Sequence, residues 1–231
     1  PSQPVVDVDG VPAFDPGASL QRAPRPARTS GIGCPRPPPQ GVFPIENPDH
    51  DQEPTGTDEE LSAVCVSNRK WAELNPHAFF RTPLTIAEVM NSKMLSTPLR
   101  AKQSNMLFDG SGAFLVTSAE RARDLVARPV YVLGEGGAVT HFVYSQEPDL
   151  TRFGWAAAGR QAFAEAGIGP ADVDVAEIYD SYPIYQLIAF EEIGLAPRGA
   201  AGQLHFDGAT APGGRIPTTT DGGMLSKGHI G

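Results

Sequence analysis

Cysteine is scarce in this 231-residue chain, which carries only Cys34 and Cys65. Two cysteines in unlike surroundings make neither a disulfide framework nor a paired-cysteine metal site, so each reads as a free thiol. Positive charge is also short: 18 Lys and Arg stand against 27 Asp and Glu, for a formal net charge of −9. Neutralising a phosphate backbone needs a basic stripe, and these cations are scattered, which excludes nucleic acid as a partner. No apolar run approaches the roughly 18–20 residues that cross a bilayer, so no membrane partner is expected. Residues 1–30 lack the charged start and apolar centre of an export signal, and the expected location is cytoplasmic. His50, His77, His141 and His205 are too dispersed to suggest a metal site. Gly134-Glu135-Gly136-Gly137 lacks the spacing of a dinucleotide fingerprint, and there is no Walker-type phosphate loop.

What is present divides at about residue 56. Residues 1–56 hold 13 of the 23 prolines and no sustained period, which reads as an irregular or disordered Pro-rich segment. Its Arg, Pro, Ala and Gly bias is also what a shifted reading frame through GC-rich coding DNA would produce. From Thr57 onward the pattern becomes regular. Thr57 with Glu60 makes a capping box, and Leu61, Val64, Cys65, Asn68 and Trp71 follow at helical spacing, predicting a helix over 58–73. Asn75-Pro76 ends it, and Thr85 opens a short helix through Met90. Ala113 to Thr117 and Val130 to Leu133 read as buried strands, with a helix capped by Ser118 between them. A helix is expected over 151–166 with Gly167 as its stop, then a strand at Val175 to Ile178 and an apolar helix from Tyr185 to Ile193. Residues 199–231 read as glycine-rich loop with no long regular element. Strands alternating with helices at this pitch give an α/β layered fold.

Four stretches occur in a telling order: Val66-Ser67-Asn68-Arg69 with Leu74-Asn75-Pro76-His77-Ala78; Asp109-Gly110-Ser111-Gly112-Ala113; Ala176-Glu177-Ile178-Tyr179-Asp180-Ser181-Tyr182; and Pro217-Thr218-Thr219-Thr220-Asp221-Gly222-Gly223-Met224-Leu225-Ser226-Lys227-Gly228-His229. Together, over residues 57–231, they resemble the thiolase superfamily, in its lipid-transfer (sterol-carrier-protein-x) branch. The resemblance implies a partial thiolase fold: residues 57–127 end the first βαβαβαββ half and 128–231 form a truncated second half. The family's nucleophilic cysteine belongs to the first half and a second, acid/base cysteine to the end, and neither matches Cys34 or Cys65. Cys65, at helical spacing with Leu61 and Asn68, reads as a packing residue.

The same resemblance implies the site. His229 matches the histidine of the family's Gly-His-Pro motif, with Ile230 in place of proline. Tyr179 stands where the branch has histidine, facing the reacting carbon. A phenol, with a reference pKa near 10, donates hydrogen bonds or acts as a general acid more readily than as a base. Tyrosine here is similar to the steroid side-chain aldolases of the superfamily, which dispense with the cysteine. Tyr179 and His229 are therefore the expected catalytic pair, and Asp180, Tyr182, Gly222 and Gly223 the expected substrate-binding residues, with Asp180 also suited to holding loop backbone. No metal and no resident cofactor are expected, since the CoA thioester is the substrate. The implied function is a thiolase-like acyltransferase acting on lipid or steroid acyl-CoA; the alternatives are a retro-aldol lyase using Tyr179, and an inactive fragment or acyl-CoA-binding scaffold. The implied partners are a second copy of the chain or a small acyl-CoA-binding subunit.

Overall fold

The computed structural model describes residues 56–142 and 149–230. The Pro-rich segment through residue 55, Cys34 included, lies outside the described residues.

Helix α1 (Asp58–Leu74) is the element on which most of the other helices pack. The Thr57 hydroxyl accepts the Glu60 N–H at 3.2 Å, and the Glu60 carboxylate accepts the Thr57 N–H at 2.7 Å. Two orphan donors are thereby satisfied, and Asp58, Glu59 and Glu60 lie at the positive end of the helix dipole. One side of α1 puts Leu61 and Val64 into a core with Leu187 and Phe190 of α5 (Pro183–Glu192) and with Ile216. Another side puts Cys65 into a smaller cluster with Leu84, Val89 and Leu225. Val89 lies on α2 (Ile86–Met90), which opens at Thr85 as expected, with Thr85 and Glu88 forming a second capping box. Helix α3 (Ala119–Leu125) follows its Ser118 cap.

Helix α4 (Trp155–Ala166) ends, as expected, at a left-handed Gly167 with φ 70°. It begins four residues later than its periodicity suggests, because the Asp149 carboxylate accepts the N–H and hydroxyl of Thr151 and holds that stretch as a turn. Two short helices, α6 (Ala201–Phe206) and α7 (Gly223–Ser226), lie within the stretch read as loop.

The strands differ most from expectation. Strand β1 (Met94–Ser96) pairs antiparallel with β2 (Leu99–Arg100), while β3 (Leu107–Phe108) pairs parallel with β4 (His229–Ile230), Leu107 opposite His229. Neither Ala113 to Thr117 nor Val130 to Leu133 is a strand; Phe114 is 91% and Val130 96% exposed. An apolar run encodes a wish for burial, but a strand exists only through a paired neighbour, and none lies beside either run among the described residues. The strand expected at Val175 to Ile178 is reduced to a single parallel bridge between Ala176 and Thr218. Among the described residues no helix is long and apolar enough to cross a membrane.

Candidate functional site

That lone bridge fastens together two loops that are far apart in sequence. The Ala176 N–H donates to Pro217 O at 2.9 Å and the Thr219 N–H to Ala176 O at 2.8 Å. Thr219 has a left-handed φ of 51°, held by its hydroxyl, which accepts from Gln186 Nε2 at 2.6 Å and donates to Ile178 O at 3.1 Å. The register carries Tyr179 and Asp180 to the start of α7.

Asp180 is buried and forms the hub of this arrangement. Its carboxylate accepts Asn68 Nδ2 at 2.8 Å, the Met224 N–H at 2.7 Å and the Leu225 N–H at 3.3 Å. Burial nevertheless dominates and, with help from Asp221, pushes the carboxyl up from 3.8 to about 6, against those three donors. Close approach depends on Gly223, at φ 62°: a Cβ there would run into the Asp180 carboxylate and the Thr219 methyl. Gly222, at φ 100°, lies against α1, where a Cβ would come within 2.6 Å of that of Ala72.

A pocket of about 410 Å³ opens beside this hub, with Tyr179, Asp180, Gly223, Lys227, Gly228 and Ile230 on its wall. The Tyr179 ring is 45% exposed and meets the His229 ring edge-on, centroids 6.1 Å apart. The His229 backbone is pinned by its N–H to Met106 O at 2.8 Å, and its Nδ1 is buried without a hydrogen-bond partner. The β3–β4 pairing therefore fixes the histidine against the tyrosine. Lys227 pairs with Asp221 across 2.7 Å at the rim.

Of the expected site residues, Tyr179, Asp180 and Gly223 line the pocket, and His229 joins through its contact with Tyr179, flanked by two wall residues. Tyr182 is the N-cap residue of α5, its ring centroid 6.1 Å from that of Tyr185. Gly222 serves the packing of the loop on α1. Cys65 is fully buried, and burial, seconded by the Asp180 charge, pushes its thiol well above the ordinary range, so it supplies no thiolate. Among the described residues no group of side chains is placed to hold a metal ion.

Sequence spacing places Asn68-Arg69 on the first helix and Asn75-Pro76 at its end, but gives their side chains no role at the site. Asn68 holds Asp180; Arg69 Nε donates to Ser226 Oγ at 2.9 Å; Asn75 Nδ2 donates to Asp221 O at 2.7 Å. All three tie the glycine loop to one face of α1. The available signal was spacing, since Asn68, Ala72 and Asn75 recur at helical intervals as polar or small residues.

Residues 136–231 match the thiolase C-terminal domain-like family. The chain is 39% identical over 182 residues to the 17-hydroxy-3-oxo-4-pregnene-20-carboxyl-CoA lyase of Mycobacterium tuberculosis, covering 75% of this chain and 47% of that protein. It is 35% identical to a subunit of the benzoylsuccinyl-CoA thiolase of Thauera aromatica, over 75% of this chain and 45% of the relative. Among solved structures it matches an Ltp2-ChsH2(DUF35) aldolase with a TM-score of 0.67 and 31% identity, over 75% of this chain and 47% of that one. The chain thus spans about half the length of the curated relatives it matches.

Proposed function

This chain belongs to the thiolase superfamily, in its lipid-transfer branch, and from that premise we propose that the protein it represents acts on the CoA thioesters of lipid or steroid acids. The observation that carries the reading is the Tyr179–His229 pair, set edge-on at 6.1 Å beside a pocket of about 410 Å³. A specific observation favours the retro-aldol lyase over the acyltransferase. The ring presented beside His229 at the pocket is the phenol of Tyr179, where the branch has histidine, and a phenol suits proton transfer at a β-oxygen.

The lyase reaction needs only proton movement. A base takes the proton of a β-hydroxyl, and the oxygen's electron pair forms a ketone as the bond between Cα and Cβ breaks. That bond's pair passes to Cα as a thioester enolate, which takes up a proton and leaves as the shortened acyl-CoA. Tyr179 is the group proposed to take the β-hydroxyl proton as its own phenol proton passes to His229, and His229 is the proposed source of the proton that reaches Cα. Asp180 and Gly223 hold the loop that carries them. A second copy, or a small acyl-CoA-binding subunit, is the proposed partner; the similar aldolase, which joins Ltp2 to ChsH2, supports the second choice.

The test is turnover of a tetracyclic β-hydroxyacyl-CoA to ketone, followed by mass spectrometry. Tyr179→Phe is expected to lower kcat by roughly 10²–10⁴, the usual worth of a positioned acid or base. Changing Cys34 and Cys65 together to serine is expected to leave turnover in place. Full activity in Tyr179→Phe sinks the lyase reading, and loss with the serine pair restores the acyltransferase.

A further inference from the structure

The β3–β4 pairing is two residues long, shorter than an ordinary strand pairing. The turn that leads into it, Ser226 to Gly228, therefore shares in deciding where His229 stands. Ser226 is buried and held from the α1 side. The Phe80 N–H donates to its carbonyl at 2.9 Å and Arg69 Nε to its hydroxyl at 2.9 Å, while the Arg69 guanidinium lies over the Phe80 ring, 5.4 Å from the centroid.

Gly228 is held from the β3 side, by the half-buried ring of Phe108. A Cβ at 228 would run into Cδ2 and Cε2 of Phe108, so the ring lies directly against the glycine backbone, which has a left-handed φ of 119°. Phe79 braces Phe108, with ring centroids 4.6 Å apart, and meets Phe80 edge-on at 4.8 Å. Arg69, Phe80, Phe79 and Phe108 thus form one chain of contacts from α1 round to the residue before His229. Gly228 is on the wall of the 410 Å³ pocket, and Phe79, Phe80 and Phe108 are not. What these rings do for the site is done through the turn. At 61% exposure Phe79 buries little on folding, yet it touches Phe108 directly.

We propose that Phe108 is a positioning residue: its ring, wedged against Gly228 and braced by Phe79, holds the His229 imidazole edge-on to Tyr179. Its part in turnover rests on the retro-aldol reading above; the placement of the imidazole does not. Without the flat ring at 108, the turn has room to swing about its glycine, which no side chain restrains, and the imidazole leaves its 6.1 Å contact. Proton movement between Tyr179 and His229 needs that alignment, whereas holding the substrate beside Tyr179 does not, so kcat falls while KM stays.

The test reads the imidazole itself, in the full chain carrying isotope-labelled histidine. The His229 ring signal, identified by its loss in His229→Gln, carries a ring-current shift from Tyr179, measured as the difference between wild type and Tyr179→Leu. Phe108→Leu keeps an apolar side chain without the ring, and Phe79→Ala trims an exposed brace where folding tolerates it. Each is expected to at least halve that shift and, on the β-hydroxyacyl-CoA, to lower kcat about tenfold or more with KM held within about twofold. A shift unchanged in Phe108→Leu, or in Phe79→Ala should the first variant not fold, overturns the positioning role whatever the turnover. A rise in KM with kcat held overturns it too, by placing Phe108 at the substrate. A halved shift in a chain whose wild type turns nothing over upholds the positioning role and overturns the retro-aldol reading.

Discussion

The Asp180 carboxyl is the strongest quantitative handle on this fold. It is buried, and its three donors only partly offset the loss of water, so it titrates at about 6 in the folded chain against an ordinary 3.8. Below 3.8 the group is protonated in both states and contributes nothing to pH dependence. As pH rises from 3.8 to 6 the unfolded chain ionises first, so stability falls through that window and stays lower above it. The full difference is about 3 kcal/mol at 1.36 kcal/mol per pKa unit. Asp180→Asn removes the titration while keeping the shape. Urea unfolding between pH 4 and 7, followed by Trp71 and Trp155 fluorescence, would give both stability curves; the other titrating groups cancel in the difference. Relative to wild type, Asp180→Asn is expected to gain about 2 kcal/mol between those pH values, since part of the change lies below pH 4. Parallel curves would show that Asp180 titrates as an ordinary carboxyl and would refute its description as a desolvated hub.

Two further predictions concern the same region and the core beneath it. Gly223→Ala forces a side chain into a left-handed φ of 62° and against the Asp180 carboxylate, for an expected loss of about 2–5 kcal/mol in urea unfolding; a change under about 0.5 kcal/mol would contradict the close approach. His205 is buried beside Phe190, rings 5.1 Å apart, and burial lowers its imidazole to about 4. Its contribution is present above pH 6.5 and is lost as pH falls toward 4, by about 3 kcal/mol, opposite in sign to Asp180. His205→Leu is expected to remove that acid sensitivity; an unchanged slope between pH 6.5 and 4 would show that the imidazole is hydrated.

The local rules worked where one short segment contains the whole cause. Thr57 with Glu60, Thr85 with Glu88, Ser118 and Gly167 mark helix ends because capping bonds and a left-handed stop span only a few residues. The resemblance implied one site for Tyr179, Asp180, Gly223 and His229, and the fold brings these four residues together. The strands failed because pairing is not local: Phe114 and Val130 have strand-like neighbours in sequence and no pairing partner in space among the described residues. β4 went unread because two residues ending in a glycine loop carry no period, and only the Leu107–His229 register makes them a strand.

For this chain, then, local sequence settles the starts of α1 at Thr57 and α2 at Thr85, the Ser118 cap and the Gly167 stop, since each cause spans only a few covalent neighbours. Tertiary structure decides the rest. It makes Asp180 an inward-facing hub by closing α1 and α7 around it, and it renders Cys65 inert by removing water. It brings Phe153 against Tyr185, 32 residues away in sequence, and Tyr185 against Tyr179, six residues away. Desolvation and ring contact depend on what fills the space around a group, and that is set by residues arriving from elsewhere in the chain.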